Sequence, residues 1–292
     1  NLGLAYHKLG KHKKAIESFK QAIRLDPDYR DAHYNLGAAY RELSKYEEAI
    51  ESFKQAIKLD PDLAAAHTFL GVAYHKLGKH KKAIESYKQA IKINPDYAEA
   101  HVNLGLAYHK LGKHEEEIES FKQAIRINPN YAYAHSNLGV AYGDLGKHEE
   151  AIESFKQAIR INPDYAEAHV NLGLAYHKLG KHKKAIESYK QAIRIDPDYK
   201  KAQGNLGIAY ANSGMYKKAI GSYKKAIKIN PDDAVVHRNL GVAYHKLGKY
   251  EEAIKSFKQA IRIDPDYAEA HTNLGAAYRK SGMNKEAIEA YK

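Results

Sequence analysis

One spacing constrains this chain more than any other. Its eight prolines, Pro27, Pro61, Pro95, Pro129, Pro163, Pro197, Pro231 and Pro265, stand 34 residues apart throughout. A Leu-Gly pair keeps the same step, with glycines at Gly3, Gly37, Gly71, Gly105, Gly139, Gly173, Gly207, Gly241 and Gly275. No insertion or deletion breaks the register. A period of this length marks an array of supersecondary units, each too small to bury its own apolar face. It overrules the two-domain expectation that 292 residues would otherwise raise. With the repeating glycine at repeat position 8, the chain holds a partial unit 1–29 and full units 30–63, 64–97, 98–131, 132–165, 166–199, 200–233 and 234–267. A partial unit 268–292 closes it, so the expectation is a single array over 1–292.

Each unit reads as two helices. In 98–131, Leu104, Ala107, Tyr108 and Leu111 recur at i, i+3, i+4 and i+7, and Ile118, Phe121, Ala124 and Ile125 form a second stripe. Gly112 sits where a left-handed residue would end the first helix, and Pro129 blocks continuation of the second. The D-x-x-E pairs Asp96/Glu99, Asp164/Glu167 and Asp266/Glu269 predict side-chain capping of the next first helix. Helices of about 14 residues are marginal alone in water, so the units must stack. The fold class is therefore all-α, an α-solenoid of helix-turn-helix units.

Composition narrows the function. An apolar fraction of 44% belongs to a folded chain. The absence of cysteine removes disulfides, Cys metal ligands and thiol nucleophiles. No apolar run nears the roughly 18 residues of a membrane span, and no secretory core opens the chain, so a cytoplasmic location is expected. The chain opens on Asn1 rather than Met, as a fragment would. The glycines form no phosphate loop, and Ser, His and Asp recur by period instead of converging once, so neither an enzyme nor a cofactor is expected.

Unit 30–63 supplies Leu36, Gly37, Tyr40, Ala49, Phe53 and Pro61. With these residues in its 34-residue frame the chain resembles the tetratricopeptide repeat along its whole length. Three departures stand out. His33, His67, His101, His135, His169, His237 and His271, or Gln203, replace an expected Trp. Ser44 replaces a turn glycine, and Glu117 replaces the small Ala of a tight helix contact. A carboxylate there is costly unless it reaches water or is protonated, so Glu117→Ala is expected to raise stability.

The resemblance implies a right-handed superhelix whose first helices line a concave groove, with positions 2, 5, 6, 9, 12 and 13 meeting ligands. Position 6 is Asn1, Asn35, Asn103, Asn137, Asn171, Asn205, Asn239 and Asn273, interrupted by Phe69. Asn is a mediocre helix former, so propensity does not explain the row. Its amide can bond both the C=O and the N–H of an extended peptide. The row is similar to the inner Asn ladder of the O-GlcNAc transferase superhelix, without the catalytic domain of that enzyme. The competing account is Asn inherited from one ancestral unit. Position 9 is apolar throughout and reads as core edge. Positions 12 and 13 give His7-Lys8, His75-Lys76, His109-Lys110, His177-Lys178 and His245-Lys246, a rim that would favour acidic side chains. The same residues also complement the helix dipole as solvated cations. The carboxylate clamp of this family is not expected: position 5 carries no Lys, and Lys201 alone fits at position 2.

Other patterns compete. The spacing of His109 and His114 across Gly112 is a weak metal signal without a third ligand type, and no metal is expected. Net charge is +12 (47 basic less 35 acidic residues), and a lysine follows the aromatic of each second helix from Lys20 to Lys292. Glutamates three residues earlier, as in Glu51/Lys54 and Glu119/Lys122, point to a solvated outer face, which makes nucleic acid an unlikely partner. Ends cut within a unit suggest head-to-tail self-association. The expected function is a scaffold binding an extended, acidic polypeptide through the Asn ladder; the alternative is a structural or self-assembling array.

Overall fold

The computed structural model describes residues 2–291, so Asn1 and Lys292 lie outside the described residues. These residues form helices and connecting turns, with no strand among them. The helices run α1 (Leu2–Lys8), α2 (His12–Leu25), α3 (Arg30–Glu42), α4 (Tyr46–Leu59), α5 (Ala64–Lys76) and α6 (His80–Ile93). They continue with α7 (Ala98–His109), α8 (His114–Ile127), α9 (Ala132–Asp144), α10 (His148–Ile161), α11 (Ala166–Lys178) and α12 (His182–Ile195). The last six are α13 (Lys200–Asn212), α14 (Tyr216–Ile229), α15 (Ala234–Lys246), α16 (Tyr250–Ile263), α17 (Ala268–Lys280) and α18 (Asn284–Tyr291). They gather into two compact units, one over residues 1–145 and one over 146–292. Within each, helical hairpins stack in chain order, every second helix packing on the first helix of the following repeat.

The periodic residues explain the hairpin. The repeating glycine of the first helix lies against the aromatic ring of the second. A Cβ on Gly105 would lie 2.7 Å from Phe121 Cε1, and one on Gly207 would lie 2.4 Å from Tyr223 Cε1. Phe53, Ala49 and Ala83 are fully buried in the same seams. Of the two predicted stripes, Leu104, Ala107, Tyr108, Phe121 and Ala124 are buried, but Leu111 is exposed because it follows the helix end and turns to solvent. The predicted turn chemistry holds, with Gly112 at φ +68°. Ser44 takes the same left-handed conformation at φ +57°, where an L side chain is strained.

Two local devices differ from expectation. The D-x-x-E pairs do not cap: Tyr97, Tyr165 and Tyr267 occupy the N-cap positions, and none makes a side-chain cap bond. Asp96 precedes the cap, and its backbone N–H is taken by Asn94 Oδ1 in an Asx turn. Asp233, which accepts from the Val236 N–H, does cap its helix. The histidines that replace Trp act instead as clasps. His33, His67, His101, His135, His169, His237 and His271 each place Nε2 2.9–3.0 Å from the carbonyl of the proline six residues earlier. The imidazole thus ties the inter-repeat turn to the helix it introduces.

Candidate functional site

Position 6 falls on the face of the first helix that is neither core nor fully exposed. Asn35, Asn103, Asn137, Asn171, Asn205, Asn239 and Asn273 are all half-buried. In the second unit α11, α13, α15 and α17 adjoin in sequence, so Asn171, Asn205, Asn239 and Asn273 recur on adjacent helices. In the first unit Phe69 interrupts the row. Its ring packs on Phe53 at 6.1 Å and lies under the Arg41 guanidinium at 4.4 Å, which makes it part of the core wall.

The amides fall into two groups. Asn35 and Asn137 donate to carbonyls of their own helices, Asp31 at 2.7 Å and Tyr133 at 2.8 Å, and keep their Oδ1 acceptors free. Asn239 accepts from Arg238, whose guanidinium also reaches Glu269 at 2.8 Å and the Tyr267 hydroxyl at 3.0 Å. Asn103, Asn171, Asn205 and Asn273 bond to nothing among the described residues, and burial does not close their polar atoms off. A half-buried amide with both functions open is what main-chain binding requires.

The residues around the row sort by depth. Position 5 belongs to the packing between helices: Thr68, Val102, Ser136 and Val170 are buried. Position 9 is mostly half-buried, as with Leu106 and Val242, while Leu174 is exposed, so the row is flanked by accessible apolar surface.

The His-Lys pairs divide their parts. Lys76, Lys110, Lys178 and Lys246 are exposed and supply positive charge. The histidines do not. Burial, with His80 beside it, pushes His75 down to about 4, and burial lowers His177 and His245 as well. At neutral pH these imidazoles are uncharged, so any preference for acidic side chains rests on the lysines. His109 differs again, since it faces carboxylates of its own chain. Its Nδ1 lies 3.0 Å from Glu117 Oε1, and His114 Nδ1 lies 3.1 Å from Glu117 Oε2. Glu117 is 1% exposed, but both its oxygens are paired. The stability gain expected of Glu117→Ala assumed an unpaired carboxylate, and that premise does not hold.

The basic stripe is not a chain of i, i+3 ion pairs. Lys54 and Lys156 do bond Glu51 and Glu153, at 3.0 and 2.6 Å. Glu119, however, accepts from Gln123, and Lys122 lies over the Tyr142 ring of the next repeat at 6.0 Å. Lys20/Tyr40, Lys88/Tyr108, Lys224/Tyr244 and Lys258/Tyr278 repeat that contact at 5.6–6.0 Å. Aromatic rings of the next repeat therefore lie beneath the stripe as supports of the lysines. No helix among the described residues is long and apolar enough to cross a membrane.

Known proteins place these features in context. The TPR repeat family model matches residues 3–43, 38–78, 73–112, 107–146, 142–180, 209–248 and 243–282, and the tetratricopeptide repeat model matches 166–199. Among solved structures, the chain is similar to MamA at 33% identity, over 56% of this chain and 95% of that one, with a TM-score of 0.52. It is similar in fold to YrrB, a TPR protein described as having an unusual peptide-binding site, at 24% identity over 64% and 96% of the two chains, TM-score 0.55. The APC/C hetero-tetramer Cut9–Hcn1 gives a TM-score of 0.65 at 18% identity over 91% of this chain. The match takes in 52% of that relative, so this chain spans about half its length. No curated protein matches at a significant level.

Proposed function

Because the chain belongs to the tetratricopeptide repeat family, whose arrays generally serve as interaction scaffolds, we propose that it is a non-catalytic scaffold holding an extended polypeptide along the row of first helices. One observation carries the reading: the half-buried amides of Asn103, Asn171, Asn205 and Asn273 recur at one repeat position with neither donor nor acceptor engaged among the described residues. An extended chain passing along these helices offers a C=O and an N–H at regular intervals, and each amide can take both. Such contacts grip main chain without choosing sequence. The flanking position 9 surface accepts apolar side chains, and Lys76, Lys110, Lys178 and Lys246 favour acidic ones at the rim. The reading takes 1–292 as one continuous array.

The test is a display library of unstructured peptides panned against the chain, followed by titration of an enriched peptide into Asn171→Ala/Asn205→Ala/Asn273→Ala. Each amide–backbone bond contributes about 0.5–1.5 kcal/mol net, so the triple variant, losing at least one bond per site, should bind at least about tenfold and up to about 1,000-fold more weakly while keeping its helical content. An unchanged affinity in a folded triple variant refutes the ladder.

A second reading, self-association, is favoured by apolar side chains left in solvent: Leu2 at 63%, Leu25 at 82% and Ile288 at 60% exposure. A molar mass that stays monomeric over a hundredfold range of concentration would exclude it.

A further inference from the structure

Two departures from the repeat meet at one point of the first unit. The small Ala of the second helix is replaced by Glu117 in this one unit, whereas Ala15, Ala49, Ala83, Ala151, Ala185, Ala219, Ala253 and Ala287 keep it. Position 13, most often Lys, is Asp144 in the following unit, and position 12 beside it is Gly143. In the fold Glu117 and Asp144 both face His109 of α7. Glu117, on α8, bridges His109 and His114 from below at 3.0 and 3.1 Å, and Asp144 Oδ2, on α9, approaches His109 Nδ1 at 3.8 Å. A Cβ built on Gly143 would meet nothing within 4 Å.

We propose that His109, His114 and Glu117, with Asp144 as a fourth donor, form a binding site for a single transition-metal dication of the Zn2+ class. One ligand atom from each of the first three residues lies within 4.8 Å of the others. A tetrahedral zinc with bonds of about 2.0–2.1 Å to nitrogen and oxygen holds its donors about 3.3 Å apart, so small side-chain rotations close the site. Two imidazoles with carboxylate oxygens suit Zn2+ or its transition-metal neighbours over Mg2+ or Ca2+, which prefer all-oxygen shells. Both histidines give the Nδ1 lone pair and keep their proton on Nε2. The carboxylates of Glu117 and Asp144 balance the dication, which leaves the half-buried cluster neutral.

The other histidine pairs lack the parts. His75/His80 and His177/His182 hold their rings 4.8 and 5.2 Å apart, yet Ala83 and Ala185 stand where Glu117 does, and the Nδ1 atoms of all four histidines are buried without a partner. Lys110, which reaches His75 in the place Asp144 takes at His109, brings a positive charge that repels a cation. His7 and His12, with Nδ1 atoms 3.4 Å apart, have Glu42 nearby, but Arg41 already binds that carboxylate at 2.6 Å. A metal at His109 would fasten α7 to α8, and through Asp144 to α9, adding a cross-link to the peptide-binding scaffold without belonging to it.

The experiment titrates Zn2+ into the full chain at pH 7.5 against a competing chromophoric chelator. One tight site per chain is expected, undisturbed by a large excess of Mg2+. Glu117→Ala restores the residue that eight other units carry, so it should fold. It should weaken the site about 100-fold or more, the upper end of what even outer supporting residues cost, since it removes a ligand itself. Asp144→Lys should weaken it about tenfold, and His75→Ala should leave it unchanged. Zn2+ should raise the unfolding temperature of the wild type but not of Glu117→Ala. No tight site, an affinity in Glu117→Ala within about threefold of wild type, or equal weakening by His75→Ala would each overturn the proposal.

Discussion

The same substitution made twice in one repeat should act in opposite directions. Gly207 lies in α13 against Tyr223, a ring only 2% exposed in α14. An added Cβ would sit 2.4 Å from Tyr223 Cε1, whereas ordinary contact begins near 3.4 Å, so the ring must retreat by about 1 Å into a filled seam. Overpacking of this kind costs about 1–3 kcal/mol, against roughly 1 kcal/mol regained from the better helix propensity of Ala. Gly207→Ala should therefore lose up to about 2 kcal/mol. Gly221, in α14, faces open space, and nothing lies within 4 Å of its Cβ position. Gly221→Ala carries the propensity gain alone and should stabilise by about 0.5–1 kcal/mol. Repeat arrays do not always unfold in one step, so native-state hydrogen exchange of the α13 and α14 amides is the sharper assay, with urea midpoints beside it. Protection should fall in Gly207→Ala and rise in Gly221→Ala. A Gly207→Ala that stabilises as Gly221→Ala does would refute the claim that ring contact demands glycine at position 8.

Ser44→Gly removes the strain of a left-handed L residue and should raise stability by about 1 kcal/mol, measured by the urea midpoint; a loss would show that the serine side chain compensates for its backbone. His75 sits at about 4 in the folded chain against a usual 6.5, so folding favours its neutral form; its contribution is complete above pH 6.5 and is lost as the pH falls toward about 4. His75→Ala should therefore flatten the decline of stability across that window, and a parallel decline in wild type and variant would exclude His75 as a cause. His169→Ala breaks the clasp on the Pro163 carbonyl at 3.0 Å and should cost about 1 kcal/mol, with faster exchange at the start of α11; unchanged exchange would make the clasp incidental.

The sequence by itself determined the hairpins. Helix ends depend on local chemistry, and the left-handed Gly112 and the helix-stopping Pro129 act within a few residues of themselves, so α7 ends at His109, just before Gly112, and α8 at Ile127, just before Pro129. The clasp of His33 on Pro27 was legible too, in the constant six-residue offset between these two residue types, although the resemblance to a Trp-bearing repeat drew attention elsewhere. The D-x-x-E pattern misled because the helix begins one residue later than the capping pattern requires. Only tertiary structure decided what the single-copy departures mean. Glu117 read as a misplaced charge until the hairpin set His109 and His114 at its two oxygens, and Asp144 acquired a partner only when α9 packed beside α7 and α8. Likewise, His177 and Lys178 are neighbours in sequence, but burial lowers the imidazole's pKa while the lysine lies in solvent. A period repeats local conformation faithfully, whereas desolvation and charge depend on what the fold brings alongside.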